Sequence, residues 1–192
     1  MTIIDDGLKD TLKKSIVLAF CFILCGWLLV SCSKENQTTS ENDYELYMSE
    51  VRYSSQHMPN IEGLGNYEDV VINTKTTIHG LAWNVDTISL MVTYCEETFE
   101  TELQRVMAEY QFVSGIQGKL YDFEADVKGY DIRVVKKQQG YSDEYTYGYP
   151  EAFMMIGINE EKNSIVYMFH YDIDLDEMDN LDSYIKKYYV LQ

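Results

Sequence analysis

Apolar and polar residues alternate along several stretches of the chain, and this period of two predicts β-strands. The alternation is clearest in residues 85–94 and 121–128, where almost every second side chain is apolar or aromatic. Short turns at Lys128-Gly129 and at residues 159–163 join four of the strands into two hairpins. The predicted strands are 69–78, 85–94, 121–128, 130–136, 152–158 and 165–171.

Three other segments repeat their apolar residues every three or four positions, and this period predicts amphipathic helices. In the second segment, Glu96 and Glu97 lie at the N-terminal end, where the helix dipole favours negative charge. In the third, Asp174 or Asp176 is positioned to cap the first turn. The predicted helices are 44–57, 96–110 and 176–190.

The order of these elements predicts an α+β domain. Hairpins join neighbouring strands, so we expect a mostly antiparallel sheet of about six strands. The strands at 152–158 and 165–171 are apolar on both faces, which predicts that they lie in the middle of the sheet. We therefore expect two layers, with the helices packed on one face of the sheet.

An uncharged run near the N-terminus changes this picture, because it is typical of an export signal. Residues 16–30 carry no charge, and Lys13 and Lys14 precede them with only Ser15 between. A membrane-spanning helix needs about 20 apolar residues, whereas this run of fifteen fits the apolar core of a secretory signal. The basic pair is expected to stay on the inner side of the membrane.

The residues that end this run, Leu29-Val30-Ser31-Cys32, resemble the lipobox of bacterial lipoproteins. The resemblance implies that the Cys32 sulfur receives a diacylglycerol thioether, with fatty chains such as palmitate, and that the chain is then cut between Ser31 and Cys32. Two acyl chains hold a protein stably at a bilayer, so no spanning helix is needed. The alternatives are an uncleaved N-terminal anchor and a signal without lipid that is cut near the same position.

The chain is thereby divided into a signal peptide at 1–31, a lipidated cysteine with a flexible tether at 32–43, and a single α+β domain at 44–192. The tether is predicted because residues 33–43 contain no aliphatic or aromatic side chain and show no periodicity. Its expected reach is about 20 Å, which would hold the domain away from the bilayer.

Charge and cysteine content narrow the class of protein further. The net charge is −17, so we expect nucleic acid and anionic lipid head groups to repel the domain. With the signal peptide removed and Cys32 lipidated, as the resemblance implies, we expect only Cys95 to remain in the domain as a cysteine with a free side chain. The domain therefore has no internal disulfide, and its core alone must hold it together.

Residues 141–150 are the most site-like segment, because four tyrosines alternate there with small and acidic residues. Tyrosine supplies contact area at a low entropic cost and is common in recognition surfaces, here for sugars or peptides. The alternative interpretation is an edge strand whose rings cover the sheet. The candidate binding residues are Tyr141, Tyr145, Tyr147 and Tyr149.

The sequence carries no motif for catalysis, a cofactor or a metal. Residues 172–176 resemble the start of a calcium loop, but Glu177 and Ser183 stand where that loop requires glycine and glutamate. Cys95 precedes a predicted helix, a position that activates a thiol, yet the two glutamates that follow oppose a thiolate. The three histidines lack the spacing of zinc ligands. We expect no catalytic residue, no metal site and no cofactor.

These patterns favour a lipid-anchored, extracytoplasmic binding or interaction module at the cell envelope, with an envelope protein or carbohydrate as partner. One alternative is an envelope hydrolase whose acid and base are scattered carboxylates such as Asp143, Glu144 or Asp172. Another is an accessory protein that acts by occupying a neighbour. The domain resembles the small, uncharacterised lipoproteins of Gram-positive bacteria, a resemblance that implies no activity.

Overall fold

The computed structural model describes residues 16–17, 32–50, 58–79, 83–113, 123–136, 152–172 and 180–191. Within these ranges the chain forms one antiparallel sheet of seven strands and three α-helices of eight or more residues. The strands are β1 (Cys32–Thr38), β2 (Asp69–His79), β3 (Trp83–Thr93), β4 (Glu124–Val127), β5 (Tyr130–Val134), β6 (Ala152–Asn159) and β7 (Ser164–Asp172). The helices are α1 (Glu41–Glu50), α2 (Glu96–Glu109) and α3 (Leu181–Tyr188). In the described ranges, no helix combines the length and hydropathy needed to cross a bilayer.

Two antiparallel meanders make up the sheet, whose strand order is β1-β2-β3-β7-β6-β5-β4. The first meander runs from β1 to β3, and the second starts at the far edge with β4 and returns to the centre with β7. They join where β7 pairs with β3, which sets Ile88 opposite Phe169. All six predicted strands are present, with ends that differ from the predictions by a few residues.

The sheet has a hydrophobic core on each face, because side chains that alternate along a strand enter two separate clusters. One cluster lies beneath α1 and α2 and includes Tyr44, Ile72, Leu90, Phe99 and Tyr167. The other lies beneath α3 and includes Val71, Met91, Val166, Leu181 and Ile185. The central strand β7 contributes to both clusters, so it is buried almost along its whole length.

The predicted α+β class and antiparallel sheet are confirmed, but the helices cover both faces of the sheet rather than one. β6 and β7 carry buried side chains on both faces, and each apolar face needs another layer to shield it from water. α3 supplies the second cover. The fold therefore has three layers, with the sheet in the middle.

The predicted flexible tether at residues 33–43 is wrong for most of that segment. Residues 32–38 form β1, which pairs with β2, and α1 begins at Glu41. Between them, the Thr38 hydroxyl donates a hydrogen bond to Asp43 Oδ2 at 2.8 Å. Strand pairing uses main-chain groups and needs no apolar side chain, so a polar segment is able to extend the sheet at β2. Cys32 is thus the first residue of β1, and the sheet formed by the described residues has seven strands instead of about six.

The C-terminal helix begins later than the period of its apolar residues predicts. α3 starts at Leu181, and the side chain of Asn180 accepts a hydrogen bond from Ser183 N at 2.9 Å. This is the bond of an N-cap residue. Asn180 therefore takes the role predicted for Asp174 or Asp176, both of which lie outside the described residues.

Candidate binding groove

The β4–β5 hairpin is buried on one face and open on the other. Its buried side chains join the core beneath α3 and are Ala125, Val127, Tyr130, Ile132 and Val134. Among the described residues, none from β4 or β5 joins the core beneath α2. The face on that side is polar, and on it Asp126 lies opposite Asp131 while Glu124 lies opposite Arg133.

A groove of about 540 Å³ lies between α2 and the open face of the hairpin. Its apolar floor is made by Leu103 and Met107 of α2 and by Ile158 of β6. Leu103 and Ile158 pack against the core beneath α2, whereas Met107 is 50% exposed. Methionine adapts its shape to different neighbours, so the floor is an accessible and adjustable apolar surface.

Acidic side chains dominate the rim of the groove. Asp126, Asp131, Glu160 and Glu161 are exposed, and Arg133 is the one cation among the described residues that line it. Arg133 donates a hydrogen bond to Asp131 at 2.6 Å, and this bond raises the pKa of Arg133. Four carboxylates against one guanidinium leave the lining with three negative charges in excess at neutral pH.

Two tight turns give this end of the groove a defined shape. Lys128 and Gly129 have φ angles of 55° and 80°, as a two-residue type I′ hairpin turn requires. A Cβ on Gly129 would lie 3.2 Å from Asn159 Nδ2, so the two turns approach closely. Asn159 is buried, and its Oδ1 accepts a hydrogen bond from Lys162 N at 3.1 Å. Glu160 and Glu161 therefore lie in a turn that this hydrogen bond closes.

The groove and Cys32 lie at opposite ends of the sheet. Through successive strand pairs, Cys32 is level with Ile78 of β2 and Asn84 of β3, one residue beyond Val85, which pairs with Asp172 of β7. The turns at 128–129 and 160–163, which border the groove, close the other end. At roughly 3.3 Å per residue, β7 alone separates the two ends by roughly 25 Å. Among the described strands β1 and β4 are also the two outermost, so Cys32 and the groove occupy opposite corners of this sheet.

Most of the residues that the sequence singles out lie elsewhere or beyond the described ranges. The candidate binding residues Tyr141, Tyr145, Tyr147 and Tyr149 and the candidate acid–base residues Asp143 and Glu144 lie outside the described residues. Cys32 is the first residue of β1. Asp172 ends β7 and is 9% exposed, so it does not join the groove. The sequence feature that points toward the groove is the set of acidic residues that alternate with apolar ones in residues 121–128.

Asp172 belongs to a buried polar cluster with His170 and Tyr184. The Tyr184 hydroxyl contacts His170 Nε2 and donates a hydrogen bond to Asp172 Oδ2 at 3.3 Å. Among the described residues, His170 Nδ1 has no hydrogen-bond partner. The rings of Phe153 and Tyr188 lie beside the imidazole, which is fully buried, and this burial lowers its pKa to about 3. A group so enclosed contributes to the fold and does not meet a substrate.

We expect His170 to make the fold sensitive to acid. The unfolded chain binds a proton near the ordinary pKa of 6.5, while the folded protein keeps His170 neutral down to about pH 3. Its contribution to stability is complete above pH 6.5 and declines as the pH falls through that window. Between pH 7 and pH 5 we expect a loss of about 2 kcal/mol in the free energy of unfolding from this residue, measured by urea denaturation.

The His170→Phe variant is the control for this pH dependence, because an aromatic ring suits the surrounding rings and does not titrate. The other acidic and basic groups are the same in both proteins. We expect the variant to lose about 2 kcal/mol less than the wild type between the two pH values. Equal losses in the two proteins would contradict the role assigned to His170.

Among the described residues, neither Cys95 nor a group of metal ligands forms a second candidate site. Cys95 is exposed at the start of α2, and its Sγ lies 3.2 Å from the Thr98 hydroxyl. The hydrogen bonds with Thr98 lower the pKa of the thiol, but a hydroxyl does not serve as the general base that a catalytic thiol uses. In the described part of the chain, no group of three or more His, Cys, Asp or Glu residues is arranged to hold a metal ion.

Comparisons with known proteins assign the chain to no family. No family model matches it, no curated protein matches it, and no solved structure matches it. The features of this chain that bear on its function are therefore the lipobox resemblance, the position of Cys32 in the fold, and the chemistry of the groove.

Proposed function

We propose that the protein is a lipid-anchored, extracytoplasmic binding module that holds an envelope partner in the groove between α2 and the β4–β5 hairpin. The observation that carries this proposal is the separation of Cys32 from the groove by the length of the sheet. A lipid on Cys32 would join the fold directly, because β1 begins at that residue. Acyl chains there would hold one end of the sheet at the bilayer. The groove then faces away, roughly 25 Å from the lipid surface.

The form of the groove supports binding as its role. Ligand pockets typically have volumes of about 300–1,000 Å³, and this groove, at about 540 Å³, falls within that range. An apolar floor with charges at the rim is also the arrangement of many protein interfaces. The acidic side chains of the rim are exposed, whereas catalytic carboxyl groups are commonly tuned by burial.

The envelope hydrolase is the second candidate, and one observation favours it. Asp126 and Asp131 lie directly opposite each other on adjacent strands, and a pair of neighbouring carboxyl groups is the acid–base machinery of many glycoside hydrolases. Profiling with cell-wall glycans and peptides separates the two candidates. Turnover that is lost in Asp126→Asn would favour the hydrolase, and an absence of turnover across the panel would remove it.

A pull-down from envelope extracts tests the binding function. We expect the wild-type protein to retain at least one envelope protein or glycan, and the double variant Asp126→Lys/Asp131→Lys to lose it. Both side chains are exposed, so the fold should tolerate the change. The control is Glu45→Lys/Glu62→Lys, which changes the net charge equally at two exposed residues outside the groove lining. Identical retention by both double variants would exclude the groove as the binding site.

A further inference from the structure

The rim of the groove favours positive charge in a ligand. Asp131 is already engaged with Arg133, while Asp126, Glu160 and Glu161 form no ion pair with another described residue. The Lys128 ammonium, on the adjacent turn, is taken up by a hydrogen bond to the Leu191 carbonyl. Three carboxylates therefore remain available to a cation, in a protein whose net charge of −17 attracts cations over a longer range.

The floor of the groove favours an apolar group in the ligand, placed between its positively charged groups. Covering the exposed part of Met107, together with Leu103 and Ile158, would gain about 25 cal/mol for each Å² of apolar surface removed from water. An ammonium group set on the same floor would lose its hydration without gaining a partner. A polyamine, whose charges are distributed along its whole length, therefore fits the floor poorly. A peptide is able to place one apolar side chain between two basic ones.

The setting of the groove favours an extended peptide. The groove lies on one face of the sheet, beside α2, and its carboxylates and apolar side chains line the same opening. Alternate residues of an extended peptide face the same side. Basic, apolar and basic side chains at every second position would therefore face the rim and the floor together.

Distance from the bilayer also suits a basic ligand. The groove would lie roughly 25 Å from a lipid on Cys32, whereas the field of anionic head groups decays within about 8 Å at physiological ionic strength. A basic segment bound in the groove would thus be removed from the lipid surface that competes for it.

We propose that the groove binds an extended basic peptide segment with the pattern basic, apolar, basic at alternate residues. This inference rests on the proposed binding function and names the chemistry of its ligand. Asp126, Glu160 and Glu161 pair with the basic side chains. Leu103, Met107 and Ile158 cover the apolar one.

Fluorescence anisotropy with the labelled peptide Gly-Lys-Ser-Leu-Ser-Lys-Gly tests the proposal. The native lipidated protein is held in nanodiscs of phosphatidylcholine, a lipid without net charge that does not attract the probe. We expect saturable binding that weakens at least tenfold in Asp126→Lys/Asp131→Lys and on raising NaCl from 50 to 500 mM. Binding should change less than twofold in Glu45→Lys/Glu62→Lys.

Changes in the peptide test the same site without altering the protein. We expect at least tenfold weaker binding when leucine is replaced by serine, when both lysines are replaced by glutamate, and when spermine is the ligand. Equal binding of the leucine and serine peptides, or equal binding by the two double variants, would overturn the proposal. If the peptide fails to bind while the envelope partner is still lost in the groove variant, the ligand chemistry is wrong and the binding function stands. If the peptide does not bind and the groove variant still retains the envelope partner, the ligand chemistry and the binding function are both wrong.

Discussion

Replacing Cys32 by serine is expected to abolish the incorporation of labelled palmitate and to leave residues 1–31 attached to the chain. Serine keeps the size of the side chain but lacks the thiolate that forms the thioether. The lipobox resemblance implies that lipid is added before the cut, so an unmodified chain should not be processed. Cells grown with labelled palmitate, followed by gel electrophoresis of the purified protein, measure both effects.

Cys95→Ser is the matched control, because Cys95 is the exposed thiol of the folded domain. We expect this variant to carry the label and to have the length of the processed wild-type chain. Label that persists in Cys32→Ser, or that disappears in Cys95→Ser, would contradict lipid attachment at Cys32. An unlabelled but processed wild-type chain would instead favour a signal without lipid.

Replacing Arg105 by methionine is expected to lower the free energy of unfolding by about 3 kcal/mol. Arg105 pairs with Glu102, one turn earlier in α2, at 2.9 Å, and it links α2 to β7 by donating a hydrogen bond to the Tyr167 hydroxyl at 3.2 Å. Burial alone would lower the pKa of Arg105, but the bond to Glu102 and the nearby acidic groups raise it. Glu102 is only 5% exposed, so without Arg105 its carboxylate would remain desolvated and unpaired. Urea denaturation at neutral pH measures the loss.

Two variants show whether the buried carboxylate causes this loss. In Arg105→Met/Glu102→Met both charges are replaced by apolar groups, so we expect at least half of the lost stability to return. In Arg133→Met the pair with Asp131 is broken where both side chains are substantially exposed, and we expect a loss below about 1 kcal/mol. A double variant as unstable as Arg105→Met, or an equal loss in Arg133→Met, would refute this role of Glu102.

The centre of the sheet is more predictable from sequence than its edge. Residues 85–94 and 165–171 supply side chains to both core clusters, so burial determines their apolar pattern. Residues 33–38 are all polar, and β1, which lies at one edge of the described sheet, is held by main-chain bonds to β2. Likewise, the apolar stripe of α3 predicts that one face of this helix is buried, but it does not indicate which face of the sheet the helix covers. The polar strand and the third layer therefore appear only in the structure.

The groove depends on tertiary contacts that no local pattern contains. The alternation in residues 121–128 predicts that Glu124 and Asp126 share a polar face, and a simple solvated surface would explain it equally well. The pairing of Asp131 with Ile158 and the position of α2 bring Asp126 and Asp131 into one groove with Met107. The binding role of the tyrosines at 141–149 stays a prediction, because these residues lie outside the described part of the chain.

The intact mass of the native protein, extracted from membranes, tests most directly whether Cys32 fixes the fold to a lipid surface. We predict a chain that begins at Cys32 and carries the added mass of a diacylglycerol thioether. A chain that retains Met1 and has a free thiol at Cys32 would contradict the anchor and, with it, the outward orientation of the groove.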